Sequence, residues 1–282
     1  MKNIRIVADS TCDLSPELIE KYNITIIPLC IIMDDKSYYD GFEVTPDEIF
    51  AWADKNKTTP KTAAIPFDLT EKKLAPFIEN GDDIIFFGIS SQMSTTCNVA
   101  RLAGENYERL FVIDSQNLST GIGLQVIKAA EMAAAGISAE EIVTEIEAAR
   151  VRVRASFVVD TLTFLARGGR CTAVTALMAT ALKLHPMIAV KDGSMGVGKK
   201  YRGKMNSVLL SYVEDLKPSL LNADKKRVFI THAGSSEETL NLIKAELEAL
   251  NYFEEILITR AGGVISSHCG PNCLGVLFYE NK

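Results

Sequence analysis

Alternation constrains this chain more than any single motif. Through the first half, short apolar runs trade places with capped amphipathic segments. The run at residues 4–8 ends in Asp9-Ser10-Thr11, and Ser15-Pro16-Glu17 then offers a cap, a proline at the first helical position and an early acid. Residues 24–33 read as a second strand, Thr45-Pro46-Asp47-Glu48 caps a helix carrying Phe50 and Trp52, and residues 69–78 form another helix. Strands at 84–89 and 110–113 follow. Strands separated by helices of this length predict a largely parallel sheet covered on both faces.

Residues 121–151 are rich in alanine and carry two helices, broken near Gly136-Ile137-Ser138, where Ser138 and Glu141 have capping-box spacing. The pattern then changes. Strands are expected at 157–159, 187–190, 228–231, 256–259 and 274–279, with a hairpin turn at Asp192-Gly193. The fold class read from this order is α/β, with an N-terminal parallel α/β domain at 1–153. A C-terminal α+β domain with a mainly antiparallel sheet is expected at 154–282.

Composition narrows the class of partner. The chain has 282 residues, 47% of them hydrophobic, so a sizeable core is available. A net charge of -6 argues against nucleic acid or an anionic membrane surface as the main partner, and Lys199-Lys200-Tyr201-Arg202-Gly203-Lys204 is the one basic cluster. The first strand begins almost at Met1, which leaves no room for a secretory leader and predicts a cytoplasmic protein. The richest apolar stretch, 171–181, is too short to span a bilayer, so no integral membrane association is expected. Six scattered cysteines read as reduced. His268-Cys269-x3-Cys273 has half the spacing of a zinc site but no matching second pair, and no metal is expected.

Few residues look chemical. His268 sits in the small, polar segment Ile265-Ser266-Ser267-His268-Cys269-Gly270-Pro271-Asn272, read as a loop between two apolar runs. Ser90-Ser91-Gln92-Met93-Ser94-Thr95-Thr96 has the form of a strand-to-helix turn, where hydroxyls and free N–H groups attract a carboxylate or phosphate; capping of the next helix explains Ser94 equally well. Thr62 lies in Lys61-Thr62-Ala63-Ala64-Ile65-Pro66, read as irregular between two helices. Arg167-Gly168-Gly169-Arg170 ends a helix at 162–166, where Arg170 is either a solvated arginine after a glycine cap or a fork for an anion. An almost wholly apolar helix is expected at 172–184, either plain core or one wall of an apolar cavity. Ser94 and His268 could form a nucleophile and base, but no nucleophile elbow surrounds Ser94. Asp9 and Asp114, each beside a serine after a strand, are read as structural.

Taken in order, Asp9-Ser10-Thr11-Cys12-Asp13-Leu14, Ile89-Ser90-Ser91-x-x-Ser94, Val112-Ile113-Asp114-Ser115, Gly168-Gly169-Arg170 and His268-x-Gly270-Pro271 with Leu274-Gly275 resemble the DegV family of fatty acid-binding proteins. The resemblance implies two domains enclosing one long-chain fatty acid in the cleft between them. It implies that Thr62 and Ser94 hold the carboxylate, and that Arg170 and His268 lie by the head group. It also implies a carrier subunit that is not itself an enzyme, has no cofactor, and delivers its acid to a separate fatty acid kinase for acyl-phosphate formation and phospholipid synthesis. The alanines after Thr62, and Thr95 where glycine is usual, imply a head-group pocket that is either tighter or less polar. Two other classes stay open: a lipid esterase or thioesterase using Ser94 and His268, and a lipid-sensing regulatory protein that meets its partner through residues 199–204.

Overall fold

The computed structural model describes residues 3–175 and 184–281. The first half contains the strands β1 (Ile4–Asp9), β2 (Thr25–Ile27), β3 (Cys30–Met33), β4 (Lys36–Tyr39), β5 (Lys61–Ala63), β6 (Asp83–Gly88) and β7 (Leu110–Asp114). Between them lie α1 (Pro16–Lys21), α2 (Pro46–Asn56), α3 (Phe67–Glu79) and α4 (Thr96–Ala103). Two helices, α5 (Thr120–Ala134) and α6 (Ala139–Ala149), lead to β8 (Val153–Val158), α7 (Thr163–Gly168) and α8 (Thr172–Thr175). The chain resumes with β9 (Leu184–Lys191), β10 (Ser194–Arg202), α9 (Met205–Leu220), β11 (Ala223–Ala233), α10 (Glu237–Ala249), β12 (Glu255–Arg260), α11 (Gly263–Cys269) and β13 (Cys273–Glu280).

A four-stranded sheet, ordered β2-β1-β6-β7, is parallel throughout. Its central strand β6 is buried at every residue, as expected of a strand covered on both faces. The six-stranded sheet, ordered β10-β9-β8-β13-β11-β12, is antiparallel except where β11 runs beside β12. The parallel sheet and the mainly antiparallel sheet both agree with the fold class read from sequence.

Local chemistry explains the ends of the elements. Ser15 caps α1 ahead of Pro16, and capping boxes at Thr45/Glu48 and Ser138/Glu141 start α2 and α6. Asp192 and Gly193 both take positive φ, giving the tight β9–β10 hairpin.

Three expectations change. Residues 24–33 are two strands that part around Pro28: β2 joins the parallel sheet, while β3 turns away and pairs antiparallel with β4 and β5. Residues 61–63 are therefore a strand, because Thr62 pairs with Ile31. Of the apolar helix expected at 172–184, Thr172–Thr175 is helical and Leu184 already belongs to β9, where it pairs with Arg202; residues 176–183 lie outside the described residues.

One core joins the two larger sheets. It runs from Ile6, Phe87 and Ile113 through Leu118, Ile127 and Ile142 to Phe157, Phe229 and Leu277. Behind the six-stranded sheet, a second cluster gathers Tyr212 and Val213 of α9 with Ile243, Leu247 and Phe278. Here the fully buried Tyr212 hydroxyl accepts from Val276 N–H and reaches Ser156 on β8, so that one side chain pins α9 to two strands. Tyr212→Phe leaves that N–H without its acceptor and is expected to cost about 1–3 kcal/mol. Urea unfolding measures this; an unchanged midpoint would mean that the amide finds another partner.

Candidate functional site

The parallel sheet places the site. From β1 the chain moves outward to β2, and from β6 it moves the other way to β7, so the strand order reverses between β1 and β6. Ligands of open α/β sheets settle beyond the carboxyl ends of strands at such a reversal. Here that crevice is built around Asp9, the fully buried last residue of β1. Its carboxylate accepts the N–H of Thr11 on its own loop and the N–H of Ile89 at the end of β6. Burial pushes its pKa up to about 6, against the pull of these bonds.

The loop after β6 is fixed at both ends. Ser90 Oγ donates to Gly193 O of the β9–β10 hairpin, and Asp114 accepts from Ser91 N–H and Gln116 N–H. A Cβ on Gly193 would stand 2.6 Å from Ser90 Oγ, so this approach requires glycine. Ser94 Oγ lies 2.9 Å from Thr96 Oγ1 and accepts weakly from Thr96 N–H, at the start of α4. Support of the helix end and exposure toward the crevice thus coexist in one serine.

His268 is not in a loop. It belongs to the last turn of α11, a helix that forms because small residues let it pack closely and because Ser266 and Ser267 return their hydroxyls to Ala261 O and Gly263 O. Its Nε2 lies 2.8 Å from Thr62 Oγ1, across a separation of 206 residues. Nδ1 is buried without a hydrogen-bond partner. Facing it is Gly168, where a Cβ would come within 2.3 Å of Nδ1. The two glycines divide their work: Gly168 leaves room for the imidazole, and Gly169, at φ 69°, closes α7 in the left-handed conformation. Arg170 then folds back, its Nη1 donating to Gly168 O, with its side chain exposed.

These residues share a cleft of about 510 Å³. Thr62, Ser94, Arg170 and His268 all line it, so the four site residues expected from sequence meet at one place. Leu29, Met93, Leu118, Met195, Val264, Ile265 and Cys269 supply its apolar walls, and sequence reasoning had named none of them as lining. Nor could periodicity find them, since each reads as ordinary core until sheets and helices converge. Leu118, Ile265 and Cys269 also border a second, small cavity of about 20 Å³, lined further by Phe157, Thr231, Cys273 and Leu277.

Burial, and next the Arg170 charge, lower the His268 pKa to about 4. The ring is therefore neutral near pH 7. When its Nε2 carries the proton it donates to Thr62 Oγ1, and the threonine hydroxyl hydrogen is free for an acceptor in the cleft. Cys269 and Cys273 lie thiol against thiol, buried, and all six cysteines are unpaired by disulfides. Among the described residues no group of three or more metal-ligating side chains comes together, and no helix is long and apolar enough to cross a membrane.

A parallel α/β unit joined through one core to a mainly antiparallel sheet, with a cleft that gathers hydroxyls, imidazole and guanidinium among apolar side chains, defines an α/β protein built around a small-molecule cleft. A family model described as an uncharacterised protein of the DegV family matches residues 3–281. A DegV domain-containing protein of Clostridium perfringens is 34% identical over 284 residues, covering 99% of each chain. Two solved structures are similar throughout. One, on fatty acid binding by a DegV family protein from Thermus thermophilus, has a TM-score of 0.92 at 29% identity and covers 100% of both chains. The other, a stearic acid-binding protein from Eubacterium ventriosum, has a TM-score of 0.83 at 29% identity, covering 99% of this chain and 98% of the other. The chain belongs to the DegV family.

The sign of the His268 shift fixes a pH response. A histidine whose folded pKa lies below its unfolded value contributes stability that is complete above about 6.5 and is lost as pH falls through about 4. The shift corresponds to on the order of 3 kcal/mol. In an NMR titration, the His268 ring is expected to show a midpoint near pH 4. A midpoint near 6.5 would mean that the ring is open to solvent and charged in the mildly acidic range.

Proposed function

We propose that this protein binds a long-chain fatty acid between its two units, 1–153 and 154–282. The carboxylate lies at the Thr62, Ser94 and His268 end, and the acyl chain runs past Leu118 and Ile265. The observation that carries this reading is the pairing of Thr62 with a neutral His268 in a cleft that also gathers Ser94 and Arg170 and is otherwise lined largely by apolar residues such as Leu29, Leu118 and Ile265. DegV relatives of closely similar fold bind fatty acids, which supports the assignment.

Energetics divide the roles. A sixteen-carbon chain withdraws roughly fourteen methylenes from water at about 0.8 kcal/mol each, a gross gain on the order of 11 kcal/mol before ordering costs. The tail supplies affinity. Hydrogen bonds from Thr62 and Ser94 to the carboxylate, at about 1.5–3 kcal/mol apiece, select the head group and fix its position. Arg170, exposed at the mouth, brings a positive charge to the carboxyl end without burying it.

The bound acid then passes to a partner fatty acid kinase, which forms the acyl phosphate. This part of the proposal rests on the family-type Gly168-Gly169-Arg170 and His268 motifs, and on the lack of a Gly-x4-Gly-Lys-Ser/Thr phosphate loop in the sequence. A hydrolase needs a nucleophile bonded to its base, but Ser94 Oγ pairs with Thr96 and His268 Nε2 with Thr62. The carrier reading is therefore preferred to an esterase. The Lys199 and Tyr201 side chains are tied to Asp215, which leaves less of the basic cluster free for the lipid-sensor alternative.

Mass spectrometry of an organic extract, from protein purified without added lipid, tests the reading. A stoichiometric long-chain acid is expected; an empty protein that also takes up no added acid would overturn it. Thr62→Ala and Ser94→Ala should each weaken binding by roughly 10- to 100-fold. Arg170→Ala should leave affinity within a few-fold while slowing phosphorylation by the kinase, and an equal loss of both would collapse the division of roles.

A further inference from the structure

We propose that Asp13 and Asp40 are positioning residues for His268: from the first half of the chain they grip the amino end of α11 and thereby set where its last turn presents the imidazole to Thr62. For its effect on ligand this rests on the fatty acid reading above; its geometry stands apart from it.

A helix of seven residues is too short to hold its place alone, and α11 has no capping side chain of its own. Its free N–H groups go to carboxylates brought from far away in the sequence. Gly262 N–H donates to Asp13 Oδ1 at 2.8 Å and Gly263 N–H to Asp40 Oδ1 at 2.7 Å, and Val264 N–H also reaches Asp40. Burial raises the pKa of both acids, and a carboxyl oxygen accepts these N–H groups whether or not the acid is ionised. The sequence leaves room for the grip. A Cβ at Gly262 would lie 3.1 Å from Asp13 Oδ1, and one at Gly263 would lie 2.9 Å from Asp40 Oδ1 and 2.5 Å from Ile31 Cδ1.

The second oxygen of each carboxylate holds another wall of the cleft. Asp13 Oδ2 accepts from Ser119 Oγ, and Ser119, at φ 54° and ψ -145°, takes a backbone conformation that side-chain-bearing residues seldom adopt. Its neighbour Leu118 lines the cleft. Asp40 Oδ2 accepts from Ser10 Oγ, which in turn accepts the N–H of Leu29, another lining residue. The relative exposures of Asp13 and Asp40 are 5% and 1%. Buried carboxylates are costly unless their hydrogen bonds are complete, and both spend their oxygens on the cleft's walls.

The test uses the full chain, free of added acid, with the His268 ring followed by NMR and assigned by its loss in His268→Gln. Asp40→Ala should raise the His268 midpoint from about 4 toward 6.5 as the ring is released from its packing. Asp40→Asn, which keeps an acceptor for Gly263 N–H, should stay near the original value. Gly262→Ala crowds Asp13 while leaving both acids in place and should shift the ring in the same direction, so the idea remains testable if Asp40→Ala does not fold. A midpoint near 4 in either folded Asp40→Ala or folded Gly262→Ala would overturn the positioning role. Palmitic acid binding is measured alongside, with a loss of at least tenfold expected in Asp40→Ala. If the unaltered protein bound no palmitic acid, the fatty acid reading would fail, while the NMR shifts would still decide the positioning role.

Discussion

Much of the cleft turns on one hydrogen bond, between Thr62 Oγ1 and the Nε2 of a neutral His268. A protonated imidazole at that place would answer a carboxylate with charge and bind any small anion strongly. A neutral one does less and discriminates more, because it orients a hydroxyl whose only gift is a directed hydrogen. The charge is moved outward to Arg170, where water screens it. That separation depends on Gly168, since any side chain there would displace the ring from the pocket that keeps it neutral.

The frame behind this bond is rigid for an electrostatic reason. Asp9 and Asp114 end β1 and β7, the strands on either side of β6, and each carboxylate accepts a backbone N–H of the loop that follows β6. The hairpin after β9 closes the same loop from the other sheet through Ser90 and Gly193. Ser94 is thus carried on a segment whose amides are already committed, which leaves its hydroxyl as the adaptable group. In the same way β5 fixes Thr62 by strand pairing to β3, so both cleft hydroxyls stand on backbone already engaged in hydrogen bonds.

The broad fold was legible because its signals are local. Caps at Ser15, Thr45 and Ser138, the turn at Asp192-Gly193 and the fully apolar β6 each follow from a few neighbouring residues. Misreadings fell where tertiary pairing overrides local preference. Thr62 reads as loop until β3 arrives beside it, and residues 24–33 read as one strand because nothing local says that Pro28 separates two sheets. The segment around His268 reads as a loop because Gly, Ser and Cys are poor helix formers. Its helix is made stable by acids at positions 13 and 40, more than 200 residues away, beyond the reach of any spacing argument. Thr62, Ser94, Arg170 and His268 were found through the order of motifs along the chain; the apolar lining was not, because a residue facing a cavity has the same pattern as one facing the core.

That equivalence carries a physical consequence. Leu118, Ile265 and Cys269 belong to the continuous core that joins the two sheets, and they also line the cleft. Removing or adding bulk at these positions therefore changes packing and cavity together, and cannot be read as a ligand effect alone. The narrow chamber beyond them is bounded by Phe157 and Leu277, from two adjacent strands of the six-stranded sheet. That chamber, about 20 Å³, holds no more than a water-sized group, so in the proposed complex an acyl chain would pack its methylenes against the core along Leu118 and Ile265. In the proposed complex the ligand is then a structural part of the protein as well as its cargo, and unfolding the core would expose the bound tail along with the side chains around it. In that complex ligand and fold would stabilise each other by mass action, growing with the logarithm of the free acid concentration over its dissociation constant.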